Sequence, residues 1–337
     1  MSGEMRPETP LISVVVPVRN AESTIAQAIR SCLDSQWVGE VVIVNDGSTD
    51  GTDARVAELA DERIRVIDGP GCGISAALNT GFAACQFPLI ARCDADDWVE
   101  QGRFAWQVPE LADPSIVAIS GAFTTVDSKG MVVAELANSG ERRDVTDLLR
   151  AGKTVTHLCT WLIRRDALQQ CGGAREWFQT AEDIDLQFRL ASVGRIVHVP
   201  RFAYRYRLHD QSITHTQGTL QRKFYEQTAR DFAIERASSG SDALDRGSAP
   251  KCPDAPSSPH SASKNIARQL VGRAWQSHRQ GKRWIAIKTM LRAAQHDPTA
   301  GLDLTRQIAI MLLRRPADRS GQSPSDAPPQ SRSQSKL

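Results

Sequence analysis

The sequence predicts an α/β protein built on a doubly wound mixed sheet. Two observations carry that expectation. Short β-branched apolar runs alternate four times with segments of helical spacing. The first run is β-branched and mostly apolar, as a buried parallel strand is. A third observation bears on use: polar clusters follow three of the four runs.

The elements follow in order. Leu11–Pro17 (L-I-S-V-V-V-P) reads as a first strand. A helix follows over Ala21–Leu33, with Ile25, Ala28, Ile29, Cys32 and Leu33 on one face. Glu40–Val44 is a second strand, ending in the turn-rich Asn45–Asp50. Thr52–Ala60 reads as a helix, Ile64–Ile67 as a third strand and Ser75–Ala84 as a helix. Pro88–Cys93 is a fourth strand that runs into Asp94, Asp96 and Asp97. Ligands of such sheets sit beyond the carboxyl ends of the strands, so Pro17–Asn20, Asn45–Gly47 and Asp94–Asp97 are expected on one rim.

Residues 115–206 are less regular, with strands near 116–120, 159–163 and 195–199 and helices over 146–150 and 184–193. Between Ser238 and Ser263, 14 of 26 residues are Ser, Pro or Gly, which predicts a flexible linker over 237–263. Helical spacing resumes at Ile266/Leu270/Ala274, Trp284/Ile287/Leu291 and Leu304/Ile308/Met311, with Gly281 and Pro298 as breaks. The reading is therefore a disordered leader (1–10), a catalytic body (11–236), the linker, a small helical module (264–315) and a disordered tail (316–337).

Composition narrows the class. A hydrophobic share of 41% and a charged share of 24% are those of a globular protein. No apolar run approaches the roughly 18 residues of a membrane span, and the N-terminus has no apolar signal-like segment, so a cytoplasmic location is expected. Seven scattered cysteines without a C-x-x-C pair argue for free thiols and against structural zinc. The net charge of +2 is unevenly spread: residues 264–315 carry +9 and residues 1–263 carry −8. Such a basic module suits an anionic membrane surface on the inner face, or a protein contact; no nucleic-acid partner is expected.

Asp94-x-Asp96-Asp97 places three carboxylates in four residues. Hard oxygen donors suit Mg²⁺ or Mn²⁺, although an acidic turn capping the next helix would look the same. Context decides. V-V-V-P-V-R-N-A-E-S (14–23), V-I-V-N-D-G-S-T-D-G-T (42–52), A-A-L-N-T-G (76–81), L-I-A-R-C-D-A-D-D-W (89–98) and T-A-E-D-I-D-L-Q-F-R-L (180–190) together resemble the family 2 glycosyltransferases of GT-A fold. The resemblance covers roughly residues 10–215.

It implies an inverting, metal-dependent transfer from a nucleoside-diphosphate sugar, most readily a UDP-sugar, to a glycan or lipid-linked acceptor. Pro17, with its neighbour Arg19, would line the nucleobase pocket, and Asp46 would accept a hydrogen bond from the base. Asp96, with Asp94 and His209, would meet the metal or diphosphate, and Asp183 would be the general base. His157, Trp161, Trp177 and Phe178 would lie where the acceptor pocket is built, with Trp177 and Glu182 as the acceptor-side residues and Trp161 read as core. Asn45 replaces the usual first Asp, a mild departure; two others stand out, Leu78 where relatives carry an Arg and Gly71 where they carry an Asn. Arg92, two residues before Asp94 on the same strand, either supplies that missing cation or pairs with an aspartate. Asp183 could equally be a helix-capping residue, with Thr180 as N-cap. Competing classes are a non-catalytic relative and a sugar-phosphate nucleotidyltransferase; the latter lacks its glycine-rich loop after the first strand.

Overall fold

The computed structural model describes residues 11–209, 219–253, 261–300 and 306–310. The expected leader (1–10) and tail (316–337) lie outside them, as do most residues of the expected last helix. The chain divides into two compact units, 1–266 and 267–337.

In the first unit, strand β1 (Ile12–Val18), helix α1 (Ile25–Leu33), β2 (Val38–Asn45), α2 (Thr52–Ala57), β3 (Ile64–Asp68), α3 (Ile74–Ala84) and β4 (Leu89–Arg92) follow the predicted alternation. Next come β5 (Trp98–Val99), α4 (Arg103–Glu110), β6 (Ile116–Val126), β7 (Val132–Leu136), β8 (Arg143–Asp144) and α5 (Thr146–Arg150). A single 3₁₀ turn (Leu158–Thr160) leads into β9 (Leu162–Arg164) and α6 (Arg165–Gln170), where the sequence suggested one strand over 159–163. Then follow α7 (Glu182–Val193), β10 (Arg195–Arg207) and α8 (Thr219–Ser239).

The sheet runs β3-β2-β1-β4-β9-β6-β10-β5, with β7 on β6 and β8 on β10. The half formed by β3, β2, β1 and β4 is parallel, while β9 runs antiparallel to both neighbours. Layering explains why β1 and β2 are apolar in both parities. Val14, Val16, Val41 and Ile43 enter the core that holds α1 and Phe104 of α4. Val15, Val42 and Val44 enter the opposite core, with residues of α3, α7 and α8. Successive strand residues face opposite sides, so both parities must be apolar. Gly81 lets α3 approach: a Cβ there would lie 2.4 Å from Val15 Cγ1.

Residues 238–253 of the Ser/Pro-rich stretch are tied down where its composition argued for a loose linker; residues 254–260 lie outside the described ones. Asp242 is fully buried, 2.8 Å from Arg175 Nη2 and also paired with Arg236. Ala243, Leu244 and Cys252 pack on the core beside α8. A buried carboxylate held by two guanidiniums outweighs a composition that favours disorder.

The second unit holds most of α9 (Ala262–Arg279), then α10 (Arg283–His296), with Gly281 at φ +79° between them. Trp275 Nε1 donates to Gln307 Oε1 at 2.8 Å. No helix among the described residues is long and apolar enough to cross a membrane.

Candidate functional site

Two loops at the strand ends brace each other. Asn20, at φ +56°, accepts a hydrogen bond from Thr49 N (2.7 Å), and its own N–H donates to Ser48 Oγ (3.0 Å). Ala21 N donates to Thr52 Oγ1 at 2.9 Å. Asn45 Oδ1 accepts from Ser48 N (2.9 Å) while its amide donates to Asp53 (2.7 Å), so Asn at this position builds the turn itself. Asp46 is buried, and its oxygens accept from Gly71 N (2.7 Å) and Gly73 N (3.3 Å). It therefore fixes the loop that leads into α3. A Cβ at Gly69 would come within 2.6 Å of Asp46 Oδ1.

At the end of β4, Arg92 lies buried between two carboxylates. Its Nε donates to Asp94 Oδ1 at 2.6 Å and its Nη1 to Glu182 Oε1 at 3.1 Å. Of the two readings open for Arg92, the ion pair is the one observed. The second oxygen of Asp94 accepts from Cys159 Sγ (3.3 Å), and Asp94 N donates to Tyr204 Oη (2.8 Å). Burial alone would raise the Asp94 carboxyl, but the charge and hydrogen bond of Arg92 outweigh it and hold it below the usual range. With both oxygens engaged, Asp94 is positioned by its partners, a more constrained place than that of an open metal ligand. Burial, then the charges of Asp96 and Asp94, push Asp97 well above the carboxylate range. Asp97 Oδ1 accepts from Arg207 N at 2.6 Å, and Arg207 Nε donates to Asp96 O at 2.8 Å. Asp96 stays half-exposed, its Oδ2 2.7 Å from His209 Nε2.

The other wall is the start of α7. The helix begins at Glu182, two residues before the expected Ile184, because Ala181 adopts φ +61° and turns the chain into it. No side chain caps this end, so the capping account of Thr180 and Asp183 finds no hydrogen bond. Asp183 lies 3.9 Å from His157 Nε2. The His157 ring sits against Tyr206 (5.3 Å) and Phe123 (6.2 Å), and its Nδ1 is buried without a partner among the described residues. Glu182 is buried, which pushes its carboxyl up to about 7 against the pull of Arg92.

One cavity of about 1010 Å³ joins these groups. Pro17, Arg19, Asp46, Arg92, Asp94, Asp96, His157, Glu182, Asp183 and His209 all line it. Trp177, expected on the acceptor side, is not among the lining residues. Its indole packs 4.9–6.1 Å from Phe178, Phe224, Tyr225 and Phe232, because α8 presents an aromatic stripe that needs a partner. Trp161 is core, as expected, and Leu78 is fully buried in the α3 layer. The sequence reading missed Phe123, Tyr206, Arg207, Arg222 and Glu226 as lining residues. The alternation Y-R-Y-R at 204–207 is the one signal that marks part of this set.

The profile described as glycosyl transferase family 2 matches residues 13–172. The succinoglycan biosynthesis protein ExoU of Rhizobium meliloti is 30% identical over 263 residues, 70% of this chain and 73% of that protein. The hyaluronan synthase of Pasteurella multocida is 28% identical over 220 residues, 64% of this chain but only 22% of the synthase's length. Among solved structures, S. aureus TarS 1–349 in complex with UDP-GlcNAc superposes with a TM-score of 0.54 at 16% identity, covering 90% of this chain and 79% of that one. That likeness bears out the GT-A fold. With five motifs in register on that fold and a relative matched along most of its length, the chain belongs to glycosyl transferase family 2.

Proposed function

We propose that this chain transfers a sugar from a UDP-sugar to a hydroxyl of a growing surface polysaccharide or lipid-linked glycan, with inversion at the anomeric carbon. One observation carries the reading: a single cavity gathers the strand-end carboxylates Asp94 and Asp96 and, from a separate helix, the half-buried Asp183. The UDP-GlcNAc complex of TarS supports the choice of donor, and the names of ExoU and the hyaluronan synthase support a polysaccharide product.

Pro17, Arg19 and the loop that Asp46 fixes form the nucleotide side. Asp96 and His209 would hold Mg²⁺ or Mn²⁺. Their donor atoms lie 2.7 Å apart on the cavity wall, and among the described residues no three such side chains form a closed cage. The Asp96 carboxylate would supply the oxygen donor such a cation favours, and the His209 imidazole a nitrogen beside it. When bound, the cation neutralises the departing diphosphate. Asp183 accepts the acceptor hydroxyl's proton as the new C1–O bond forms and the bond to UDP breaks. Arg92 holds Asp94 and Glu182 in place, so that the carboxylate nearest the base does not repel it freely.

UDP release should be measured across candidate UDP-sugars with Mg²⁺, Mn²⁺ or chelator. Asp183→Asn is expected to lower turnover about 10²–10⁴-fold while UDP binding persists. Asp96→Ala is expected to abolish the metal response. Donor binding without turnover in the unaltered chain would leave the non-catalytic reading standing, and a product that retains the donor's anomeric configuration would reject inversion.

A further inference from the structure

We infer that one face of α10 is a membrane-contact surface that takes anionic phospholipid. The helix is sharply two-sided. Ala286, Thr289, Met290 and Ala293 are buried. On the opposite side Trp284 is 82% exposed, and Ile285 and Leu291 are each 53% exposed. Trp284, Lys288, Leu291 and Gln295 recur at the spacing that stacks residues on one helical face, with Ile285 beside them. Lys288 is exposed among these apolar groups.

The charge of the surroundings selects the occupant. From Ala262 to His296 there are eight Lys or Arg and no Asp or Glu. Arg268, Arg279, Lys282 and Lys288 are all exposed. An indole and two aliphatic side chains interleaved with lysine match a bilayer surface: the rings and alkyl groups enter the headgroup boundary while lysine stems lie along them and their ammonium groups reach phosphate. A nucleic acid would use the cations but would leave Ile285 and Leu291 without a role. At 14 residues, α10 is about 21 Å long, which suits a helix lying on the surface.

The inference is independent of the sugar-transfer reading, and its test keeps the two apart. The full chain is sedimented with vesicles of phosphatidylcholine alone and with vesicles that also contain phosphatidylglycerol, at low and high salt, and UDP-sugar turnover is followed in vesicle-free solution. Binding is expected only to the anionic vesicles, weakening with salt. Trp284→Glu and Leu291→Glu should each weaken it about tenfold or more, with solution turnover and the thermal melt unchanged. Lys288→Glu should lessen its salt dependence. The inference is overturned if the unaltered chain stays in the supernatant with anionic vesicles at low salt. It is equally overturned if Trp284→Glu leaves vesicle binding intact, or abolishes a self-association that accounts for the exposed face.

Discussion

Glu182 and Asp185 lie three residues apart on α7, both are buried, and both face arginine. Their surroundings separate them. Glu182 meets one guanidinium, Arg92, which it shares with Asp94, and both line the cavity. Asp185 meets three: Arg189 Nε at 2.7 Å, Arg236 Nη1 at 3.6 Å and Arg175 Nε at 3.7 Å. Arg189 also donates to Cys171 O and Gly173 O, and Arg175 and Arg236 continue to Asp242. The second network ties α7 to α8 and to the segment after it; the first sets the spacing of carboxylates around the cavity. One helix thus carries a clamp and a site, and the number of cations facing each carboxylate tells them apart.

Asp185→Asn should give the largest effect and test the clamp. Removing one partner from a buried network leaves guanidiniums uncompensated, and a loss of about 3–5 kcal/mol in unfolding free energy is expected by denaturant titration. Turnover per folded molecule should stay within about twofold. A large fall in turnover with little loss of stability would break the distinction drawn here.

Glu182 should instead reveal itself through pH. Its carboxyl has a value of 4.5 when unfolded and about 7 when folded, so between these the folded chain holds a proton that the unfolded chain has released. Stability contributed by that proton is therefore present at low pH and lost as pH rises through this window, by up to about 3 kcal/mol. Glu182→Gln should flatten that stretch of the stability profile. A slope identical to that of the unaltered chain would mean that Glu182 stays charged throughout.

A buried carboxylate that faces no cation among the described residues gives the comparison its third point. Among those residues Asp46 accepts from the N–H groups of Gly71 and Gly73. Asp46→Asn keeps one acceptor and turns the other into a donor aimed at an N–H, a change expected to cost about 1–2 kcal/mol. If the loop it fixes forms the nucleotide side, KM for the donor should rise more than kcat falls.

These contrasts also measure how far the sequence could be read. β1, β2 and β4 were legible because strands buried on both faces must be largely apolar in both parities, whereas the edge strand β3 has no buried residue. Asp94, Asp96, Asp183 and His209 were legible through motifs. The pairing of Arg92 with Glu182 was not, since it closes across 90 residues and no local pattern encodes it. The packing of Trp177 was not legible for a related reason. Its neighbours Phe224, Tyr225 and Phe232 form a stripe on α8, roughly 50 residues onward, and only the fold shows that this stripe lies against it. The described first part of the expected linker, 238–253, packs on the body because the buried Asp242 pairs with Arg175 and Arg236, a contact that composition does not encode.

Asp245 offers the finest cut. It belongs to the clamp by contact, 3.1 Å from Arg175 Nη2, yet its side chain is 41% exposed where that of Asp242 is fully buried. Water already solvates it, so its charge is screened and its removal leaves no stranded buried ion. Its Oδ2 also accepts from Asp242 N at 3.0 Å, a bond that Asn at 245 can preserve through its carbonyl. Asp245→Asn is therefore expected to cost about 1 kcal/mol or less, against the several expected at Asp185 a few ångströms along the same chain of arginines. Equal losses at the two positions in parallel denaturant titrations would show that contact with Arg175 sets the strength of the clamp and that burial does not.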